Sequence, residues 1–496
     1  MSLAVMEWPE DPFADYASAL WTSWDIAEAT GGEASCAFQV SGVEIDSRDV
    51  REGDLFFALK GETTDGHQFL EAAFAKGAAA AVVDRKIDQP HILVPDTSRA
   101  LENMAKAARG RIAGGARVIG VTGSVGKTSI KEALFAALDR GYNGRAHRSV
   151  KSYNNHVGVP LSLARMPQGT RFGVFEMGMN HAGEIAALTV QARPHVAIVG
   201  TIAPAHIENL GSEEAIADAK AEIFRGLESD ATGQGGVAII PADSPHFARL
   251  RAAALLVRAQ VVSFGRSEGA DVRLLDAVAA PGDGSLVTVD MGDRKLCYTI
   301  AAPGDHWVTN SLAVMAAVRA VGGDLGAAGL ALAELEGLKG RGARHEIPAG
   351  SGTALLIDES YNANPASMAA TLAQLGATPA TRRIAVLGAM KELGDHGPAF
   401  HAELAPHLEA ARADRVILVG DEMTALAQEL EKRAELGKSA GGALGKAIPF
   451  AHCRTAADAI AALAELGVEG GDAILVKGSN SVGLGKLVES LLVSKG

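Results

Sequence analysis

An α/β protein with three domains is predicted from the composition, from a glycine-rich motif near residue 120 and from alternating apolar segments near the end of the chain. The 496 residues suffice for three domains of about 150 residues each. Glycine is abundant and aromatic residues make up only 5% of the chain, which favours packed α/β layers over an all-β fold. We place the domains at residues 1–112, 113–343 and 344–496.

The first domain is predicted to be a small α/β unit. Apolar runs predict strands over 40–46, 54–59, 79–83 and 92–94. Helical spacing of apolar residues predicts helices over 69–75 and 97–111. The Gly114-Gly115 pair is typical of a hinge before the next domain.

The second domain opens with a strand, a glycine-rich loop and a helix, and this order predicts a phosphate site. A helix start offers unpaired N–H groups and a positive dipole end, so it attracts anions. In such loops a lysine reaches the outer phosphates and a hydroxyl ligates Mg²⁺. The loop residues are Gly123, Ser124, Val125, Gly126, Lys127, Thr128 and Ser129.

This loop is shorter than a standard P-loop. Val121 stands where the first glycine of the longer motif is expected, which leaves Gly-x-x-Gly-Lys-Thr. The flanking strand and helix favour nucleotide triphosphate binding, and the alternative is a glycine-rich turn with a solvated lysine.

The remainder of the second domain alternates strands and helices, which predicts a mostly parallel sheet. Further strands are predicted over 172–176, 196–200, 237–240 and 261–264. Residues 270–300 are predicted to be antiparallel, with turns at 281–284 and 292–293.

The third domain is predicted to be a doubly wound, Rossmann-like sheet. Four short apolar strands are predicted over 355–358, 384–388, 416–420 and 473–477. Helices between them are predicted over 367–375, 398–412, 423–436 and 455–466. Ligands of such sheets bind at the carboxyl ends of the strands, which here are Asp358, Gly388, Gly420 and Lys477.

Composition excludes several classes of protein. A net charge of −13 argues against a nucleic-acid-binding surface, and three separated cysteines predict neither disulfides nor a zinc site. The chain has no run of 18 apolar residues. Its first residues have neither the basic nor the apolar region of a secretion signal. We therefore expect a cytoplasmic enzyme.

Several polar residues lie where chemistry is expected. Glu176 ends a strand beside the phosphate loop and could hold Mg²⁺, or it could cap the next helix. His206 follows the strand 196–200 and could ligate a second cation, or it could be a surface group.

Lys220 lies in a helical stretch and, by pattern alone, is a solvated lysine. Arg341 lies between the second and third domains and could reach the γ-phosphate as domains close, or it could be a linker charge. The segment 358–365 is dense in hydrogen-bonding side chains after an apolar strand, which indicates ligand contact rather than a simple capped turn.

Together these segments resemble the Mur ligase family of peptidoglycan synthesis over nearly the whole chain. The segments that carry the resemblance are 46–62, 65–67, 122–128, 153–161, 176–178, 205–206, 220–223, 304–310, 358–365, 387–394 and 476–479. Folylpolyglutamate synthetases share the later segments but lack the N-terminal domain. Glu359 and Ala389 stand where an aspartate is common in the family, which puts those two side chains in doubt as ligands.

The resemblance implies a role for particular residues. Lys127 and the loop would hold the ATP phosphates, with Thr128 and Glu176 on one Mg²⁺. His206 and a carbamylated Lys220 would serve a second Mg²⁺. The other implied nucleotide contacts are Asn310 for adenine, Arg341 for phosphate and Asp358.

The resemblance also implies where the other substrates bind. Ser47, Arg48, Asp65 and His67 would contact the UDP end in the first domain, and Asn154 and Asn155 the muramoyl-peptide side. The pocket for the amine substrate is not assigned, and its candidates are Asn362, Asn364 and Lys391.

The implied activity is that of an ATP-dependent ligase that adds D-alanyl-D-alanine to UDP-N-acetylmuramoyl-tripeptide through an acyl phosphate, and a monomer is expected. One alternative is the family member that adds the third residue, although its usual Asp-Asn-Pro-Arg motif is absent from the sequence. An alternative of another class is a P-loop ATPase switch.

Overall fold

A computed structural model describes residues 19–61, 63–112, 114–229, 233, 235–280, 284–439 and 447–493. As predicted, the protein belongs to the α/β class, and most neighbouring strands in its three larger sheets are parallel. The turn predicted at 281–284 lies largely outside the described residues. None of the described helices is long and apolar enough to cross a membrane.

The N-terminal sheet is parallel except at one edge. Its strands, in spatial order, are Glu33–Ala34, His91–Leu93, Ala80–Val83, Asp54–Phe57 and Gly42–Glu44. Trp21–Thr22 and Gln39–Val40 form a separate pair. The helices are Ser23–Thr30, Leu70–Ala75 and Thr97–Arg111, with a 3₁₀ turn at Gly66–Phe69. The predicted helix 97–111 is confirmed, and the Asp96 side chain caps its start.

The central sheet places the phosphate-loop strand in its interior. Its strands, in spatial order, are Lys295–Ile300, Ser285–Asp290, Val272–Ala279, Ala259–Gly265, Gly235–Pro241, Val196–Val199, Arg117–Thr122, Phe172–Glu176 and Ala146–Arg148. The first three of these strands pair antiparallel, as predicted for residues 270–300, and the other pairs are parallel.

Helices cover both faces of the central sheet. They are Lys127–Gly141, Gly158–Ala164, Glu184–Ala192, Ile207–Leu210, Glu213–Ala221, Phe247–Leu256, Asp305–Ala320 and Leu325–Glu334, with a 3₁₀ turn at Glu222–Gly226. Because parallel strands end at one edge, Thr122, Glu176 and Val199 lie side by side, and their loops meet there.

The C-terminal sheet contains the four predicted strands and two others. In spatial order its strands are Ala343–Ala349, Gly352–Glu359, Asp472–Lys477, Arg382–Gly388, Arg415–Val419 and Phe450–Cys453. The two unpredicted strands are the edge strands. The strand Ala343–Ala349 contains Pro348 and charged residues, which weaken the apolar pattern and are tolerated at an edge.

The C-terminal helices are Pro365–Ala377, Gly397–Ala402, Leu404–Ala410, Thr424–Ser439, Ala456–Leu466 and Gly485–Val493. The helix predicted over 398–412 is in fact two helices that meet at Glu403. One cluster of buried apolar residues is continuous across the central and C-terminal sheets, so the two are packed together.

Candidate active site

The phosphate loop has the predicted conformation between the strand Arg117–Thr122 and the helix Lys127–Gly141. Gly123 and Gly126 both have positive φ values, of 151° and 85°, which favour glycine. A Cβ atom on Gly126 would lie 2.8 Å from Oδ1 of Asn310. The buried Asn310 is therefore packed directly against the loop, as expected for a residue of the nucleotide site.

The Lys127 ammonium lies across this loop. Its Nζ donates a 2.6 Å hydrogen bond to the carbonyl of Gly123. Burial lowers the pKa of Lys127, and the charges of Glu176 and Glu392 partly oppose that shift. A bound anion would be a further negative charge near Lys127 that favours its protonated form.

Glu176 lies beside the start of the phosphate-loop helix. Its Oε2 accepts a 2.8 Å hydrogen bond from Oγ1 of Thr128, and its Oε1 accepts one of 2.8 Å from Nδ2 of Asn154. Nζ of the buried Lys131 lies 4.0 Å from Oε2. The carboxylate is therefore fixed by three neighbours, and it does not cap the following helix.

The oxygen donors around Glu176 suit Mg²⁺, which prefers oxygen ligands and usually keeps several waters. Among the described residues, no three His, Cys, Asp or Glu side chains converge to hold a metal ion by themselves. The hydroxyl of Thr128 and the carboxylate of Glu176 would thus supply part of a coordination sphere that water and phosphate oxygens complete.

His206 and Lys220 lie beyond the neighbouring strand Val196–Val199. His206 directly precedes the helix Ile207–Leu210, and Lys220 lies in the helix Glu213–Ala221. Lys220 is only 1% exposed. Burial lowers its pKa well below the usual value, and the charge of Lys127 lowers it further. His206 has a left-handed backbone and lies in the wall of the cleft described below. The lowered pKa favours the unprotonated amine, which is the form that can act as a nucleophile.

A cleft with a volume of about 480 Å³ separates the phosphate loop from the C-terminal sheet. The central domain contributes Lys127, Glu176, His206 and Asn310 to its lining. The predicted residues Ser124, Val125, Gly126, Ser129, Asn154, Asn155, Arg341, Asn362 and Asn364 also line it. Most of the predicted site residues are therefore brought together in one cavity.

Arg341 lies at the junction of the two domains that form the cleft. Its guanidinium carbon is 4.3 Å from the centroid of the Tyr361 ring, and Nη2 lies 3.4 Å from Oγ of Ser152. The side chain contacts both the central and the C-terminal domain, so it is not a solvated linker charge.

Asp358 does not line the cleft, in contrast to its neighbour Glu359. The buried Asp358 carboxylate accepts hydrogen bonds from the backbone N–H of Gly340 over 2.8 Å and from Oγ of Ser360 over 2.6 Å. Successive residues of a strand face opposite sides, so only one of the two carboxylates can face the cleft. In this structure Asp358 ties the inter-domain connection to the sheet.

Lys477, which the sequence predicts at a strand end without an assigned role, lies in the wall of the cleft. Its Nζ lies 3.4 Å from Oε2 of Glu359 and donates a 3.0 Å hydrogen bond to the carbonyl of Asn362. Burial lowers the pKa of Lys477. In the sequence, the feature that could have identified Lys477 as a site residue is its position directly after four apolar strand residues.

The polar segment after Glu359 has structural as well as cleft-lining roles. Oδ1 of Asn364 accepts a 2.9 Å hydrogen bond from the backbone N–H of Ser367 and caps the helix Pro365–Ala377. Asn155 similarly accepts hydrogen bonds from two backbone N–H groups. Lys391 pairs with Glu422 and does not line the cleft.

The residues predicted for the UDP end lie in the N-terminal domain and do not line this cleft. Arg48 pairs with Asp46 through two nitrogens. His67 and Ser47 are both buried in this domain, and Nδ1 of His67 lies 2.6 Å from Oδ1 of Asp65. The ion pair between Lys151 and Asp49 joins this domain to the central domain.

Three family models match the chain. They are described as "Mur ligase family, catalytic domain" over residues 39–113, "Mur ligase middle domain" over 121–318 and "Mur ligase, glutamate ligase domain" over 343–480.

Individual relatives match over most of their length. The UDP-N-acetylmuramoyl-tripeptide–D-alanyl-D-alanine ligase of Bacillus subtilis is 35% identical over 465 residues, covering 92% of this chain and 94% of the relative. The Escherichia coli K12 protein of the same name is 34% identical, with coverages of 81% and 86%.

Solved structures match as well. MurF from Acinetobacter baumannii superimposes with a TM-score of 0.79 at 30% identity, covering 95% of this chain and 98% of that one. The MurF ligase from Thermotoga maritima in complex with ADP has a TM-score of 0.71 at 28% identity, with coverages of 91% and 96%.

Proposed function

The chain belongs to the Mur ligase family, and we propose that it joins D-alanyl-D-alanine to UDP-N-acetylmuramoyl-tripeptide at the expense of ATP. The observation that carries this proposal is the cleft in which the phosphate loop and Glu176 face the C-terminal domain. Relatives that carry this enzyme's name match nearly the whole chain, and a MurF structure binds ADP.

The first step needs two anions to approach each other. The terminal carboxylate of the tripeptide attacks the γ-phosphorus of ATP, ADP leaves, and an acyl phosphate forms. Lys127 and the loop N–H groups bind the phosphate oxygens, which offsets the repulsion. Arg341 adds a second cation from the domain junction.

The second step forms the amide bond. The free amine of D-alanyl-D-alanine attacks the acyl carbon, and the tetrahedral intermediate expels inorganic phosphate while the nitrogen loses a proton. Water would hydrolyse the acyl phosphate, so the cleft must exclude it. Asn362, Asn364 and Lys391 remain candidates for holding the amine substrate, although Lys391 does not line the cleft. Lys477 and Glu359, which do line it, are added to these candidates.

We propose two Mg²⁺ sites at this cleft, whose lining includes Glu176 and His206 but neither Thr128 nor Lys220. Thr128 and Glu176 would hold one, and His206 with Lys220 the other. When bound, the ions shield negative charge on the phosphates. A carbamate on Lys220 would turn a buried amine into an oxygen ligand, and the lowered pKa and burial of Lys220 support this.

Other predictions stay proposals. Asn310 is proposed to contact adenine, and Ser47, Arg48, Asp65 and His67 the UDP end, with Asn154 and Asn155 toward the muramoyl peptide. The nucleotide role of Asp358 stays a prediction, since its carboxylate is bound within the connection. We also propose domain boundaries at 112/113 and 343/344, a monomer and a cytoplasmic location.

A coupled assay tests the function. Phosphate and ADP are measured with UDP-N-acetylmuramoyl-tripeptide, D-alanyl-D-alanine and ATP, and then with each substrate omitted. We expect phosphate release only with both co-substrates present. Release without them would support an ATPase switch. Release with a UDP-dipeptide and a free amino acid would support the ligase that adds the third residue.

A further inference from the structure

The contact between His206 and Glu392 crosses from the central to the C-terminal domain. Nδ1 of His206 lies against Oε2 of Glu392. This nitrogen has no hydrogen-bond partner among the described residues, so the contact with Glu392 is a close approach of the two side chains rather than a formed hydrogen bond. Glu392 lies in the loop after the strand Arg382–Gly388, at the strand end where ligands of this sheet are expected.

The backbone around this contact is unusual on both sides. His206 has a φ of 60° and Glu392 a φ of 64°. Both lie in the left-handed region, where histidine is enriched along with asparagine and aspartate but glutamate is uncommon. The N–H of Glu208 donates a 3.4 Å hydrogen bond to the carbonyl of Glu392. An uncommon backbone conformation, here that of Glu392, often marks a functional site.

Glycine allows the two loops to approach this closely. Gly394 has a φ of 53°, and a Cβ atom there would lie 3.2 Å from Cγ of Glu208. The docking of the loops is therefore tight and specific rather than a chance meeting of two surface side chains.

The contact leaves one ring nitrogen of His206 available. Nδ1 is buried, whereas the side chain as a whole is 24% exposed and lines the cleft. Nε2 is the other atom of the ring that can bind a cation. Histidines that bind metals commonly donate the second N–H to a carboxylate, which fixes the tautomer and the ring orientation.

We propose that Glu392 is a positioning residue: from the C-terminal domain it holds the His206 ring by Nδ1, so that Nε2 faces the second cation site. This inference rests on the proposed function of His206. With this role for Glu392, the second cation site is complete only when the C-terminal domain is docked. Domain closure is then coupled to cation binding, and so to phosphoryl transfer.

Cation binding tests the proposal independently of ligation. Mn²⁺ is titrated into the intact protein saturated with an unhydrolysable ATP analogue, and free Mn²⁺ is followed by electron paramagnetic resonance. We expect Glu392→Gln to weaken the second Mn²⁺ site by about 10–100-fold, and Glu392→Asp to restore part of the affinity. The matched control is Asp395→Asn, an exposed carboxylate three residues away, which should titrate like the wild type.

Three results would overturn the proposal. One is wild-type Mn²⁺ binding by Glu392→Gln, and another is unchanged binding by His206→Ala. The third is an equal loss in Asp395→Asn, which would indicate a general charge effect. Circular dichroism confirms that each variant is folded. A protein that shows the expected Mn²⁺ pattern but no ligation of D-alanyl-D-alanine would refute the proposed function and leave this inference standing.

Discussion

Oγ1 of Thr128 donates a 2.8 Å hydrogen bond to Oε2 of Glu176, and this bond joins the first turn of the phosphate-loop helix to the end of the adjacent strand. The two residues are 48 positions apart in the chain, but the parallel register sets Glu176 opposite Val121. Both oxygen atoms that would ligate a cation are therefore oriented before a cation binds, and such preorganisation strengthens electrostatic stabilisation.

Glu176→Gln should raise the Mg²⁺ concentration needed for turnover and lower kcat by roughly 10²–10³-fold. The amide keeps the shape and can still accept from Thr128, but the negative charge is lost. Steady-state rates over a range of Mg²⁺ concentrations measure both effects. Glu334→Gln, at an exposed ion pair with Arg140, is the control, and an unchanged Mg²⁺ dependence in Glu176→Gln would contradict the assignment.

The elements predicted correctly are those whose pattern is local. The strand Phe172–Glu176 and the helix Thr97–Arg111 have the predicted bounds, because apolar runs and capping residues mark their ends. The edge strands Ala343–Ala349 and Phe450–Cys453 were missed, because Pro348 and charged residues interrupt the apolar pattern of the first and the second has only four residues.

The same distinction applies to the site. The phosphate loop could be predicted because its glycines, lysine and threonine are adjacent in sequence. The sequence could not predict that Glu359 faces the cleft while Asp358 faces the connection, because a shift of one residue reverses the faces of a strand. Lys477 was visible at a strand end, but its partner Glu359 is 118 residues away.

Lys127→Ala should reduce ligation by at least about 10²–10³-fold, because it removes the cation nearest the loop. The hydrogen bond from Nζ to the Gly123 carbonyl shows that the side chain already lies over the loop. Product formation is measured by chromatography at saturating ATP, with the exposed Lys486→Ala as control. A rate near that of the wild type would refute the phosphate site.

Arg341→Ala should lower kcat more than it weakens binding of the UDP substrate, because the side chain lies at the domain junction and not in the N-terminal domain. Arg341→Lys should restore turnover only in part, since an ammonium cannot reproduce both the stacking on Tyr361 and the planar donor geometry. Kinetics and calorimetry separate the two effects. Weaker UDP-substrate binding with unchanged kcat would contradict this role.

The buried His147 should make the fold acid-sensitive. Burial lowers its pKa to about 4 from the usual value of 6.5, and its Nε2 lies 2.8 Å from the carbonyl of Ser162. The unfolded state then binds more protons between these two values, so stability is lost as the pH falls from 6.5 towards 4.

We expect His147 to contribute roughly 2 kcal/mol of this loss by pH 4.5. Urea unfolding of His147→Gln should show a shallower decrease in the free energy of unfolding over this range than the wild type. The exposed His407→Gln should follow the wild type. If the free energy of unfolding of His147→Gln had the same pH slope as that of the wild type, His147 would be protonated as easily in the folded state as in the unfolded state.

Lys220→Ala should be nearly inactive, and short carboxylates such as formate or acetate should restore part of the activity. Burial, and after it the nearby charge of Lys127, lower the pKa of Lys220, which increases the fraction of unprotonated amine that can react with CO₂. The carbamate that forms carries a negative charge that Lys127 stabilises, whereas the free ammonium would be repelled.

Lys220→Arg keeps a positive charge and cannot form the carbamate, so it should be inactive and rescued less than the alanine variant. Ligation rates with and without added carboxylate, and in CO₂-depleted buffer for the wild type, measure these effects. Full activity of Lys220→Ala without additives would leave Lys220 as a buried structural lysine.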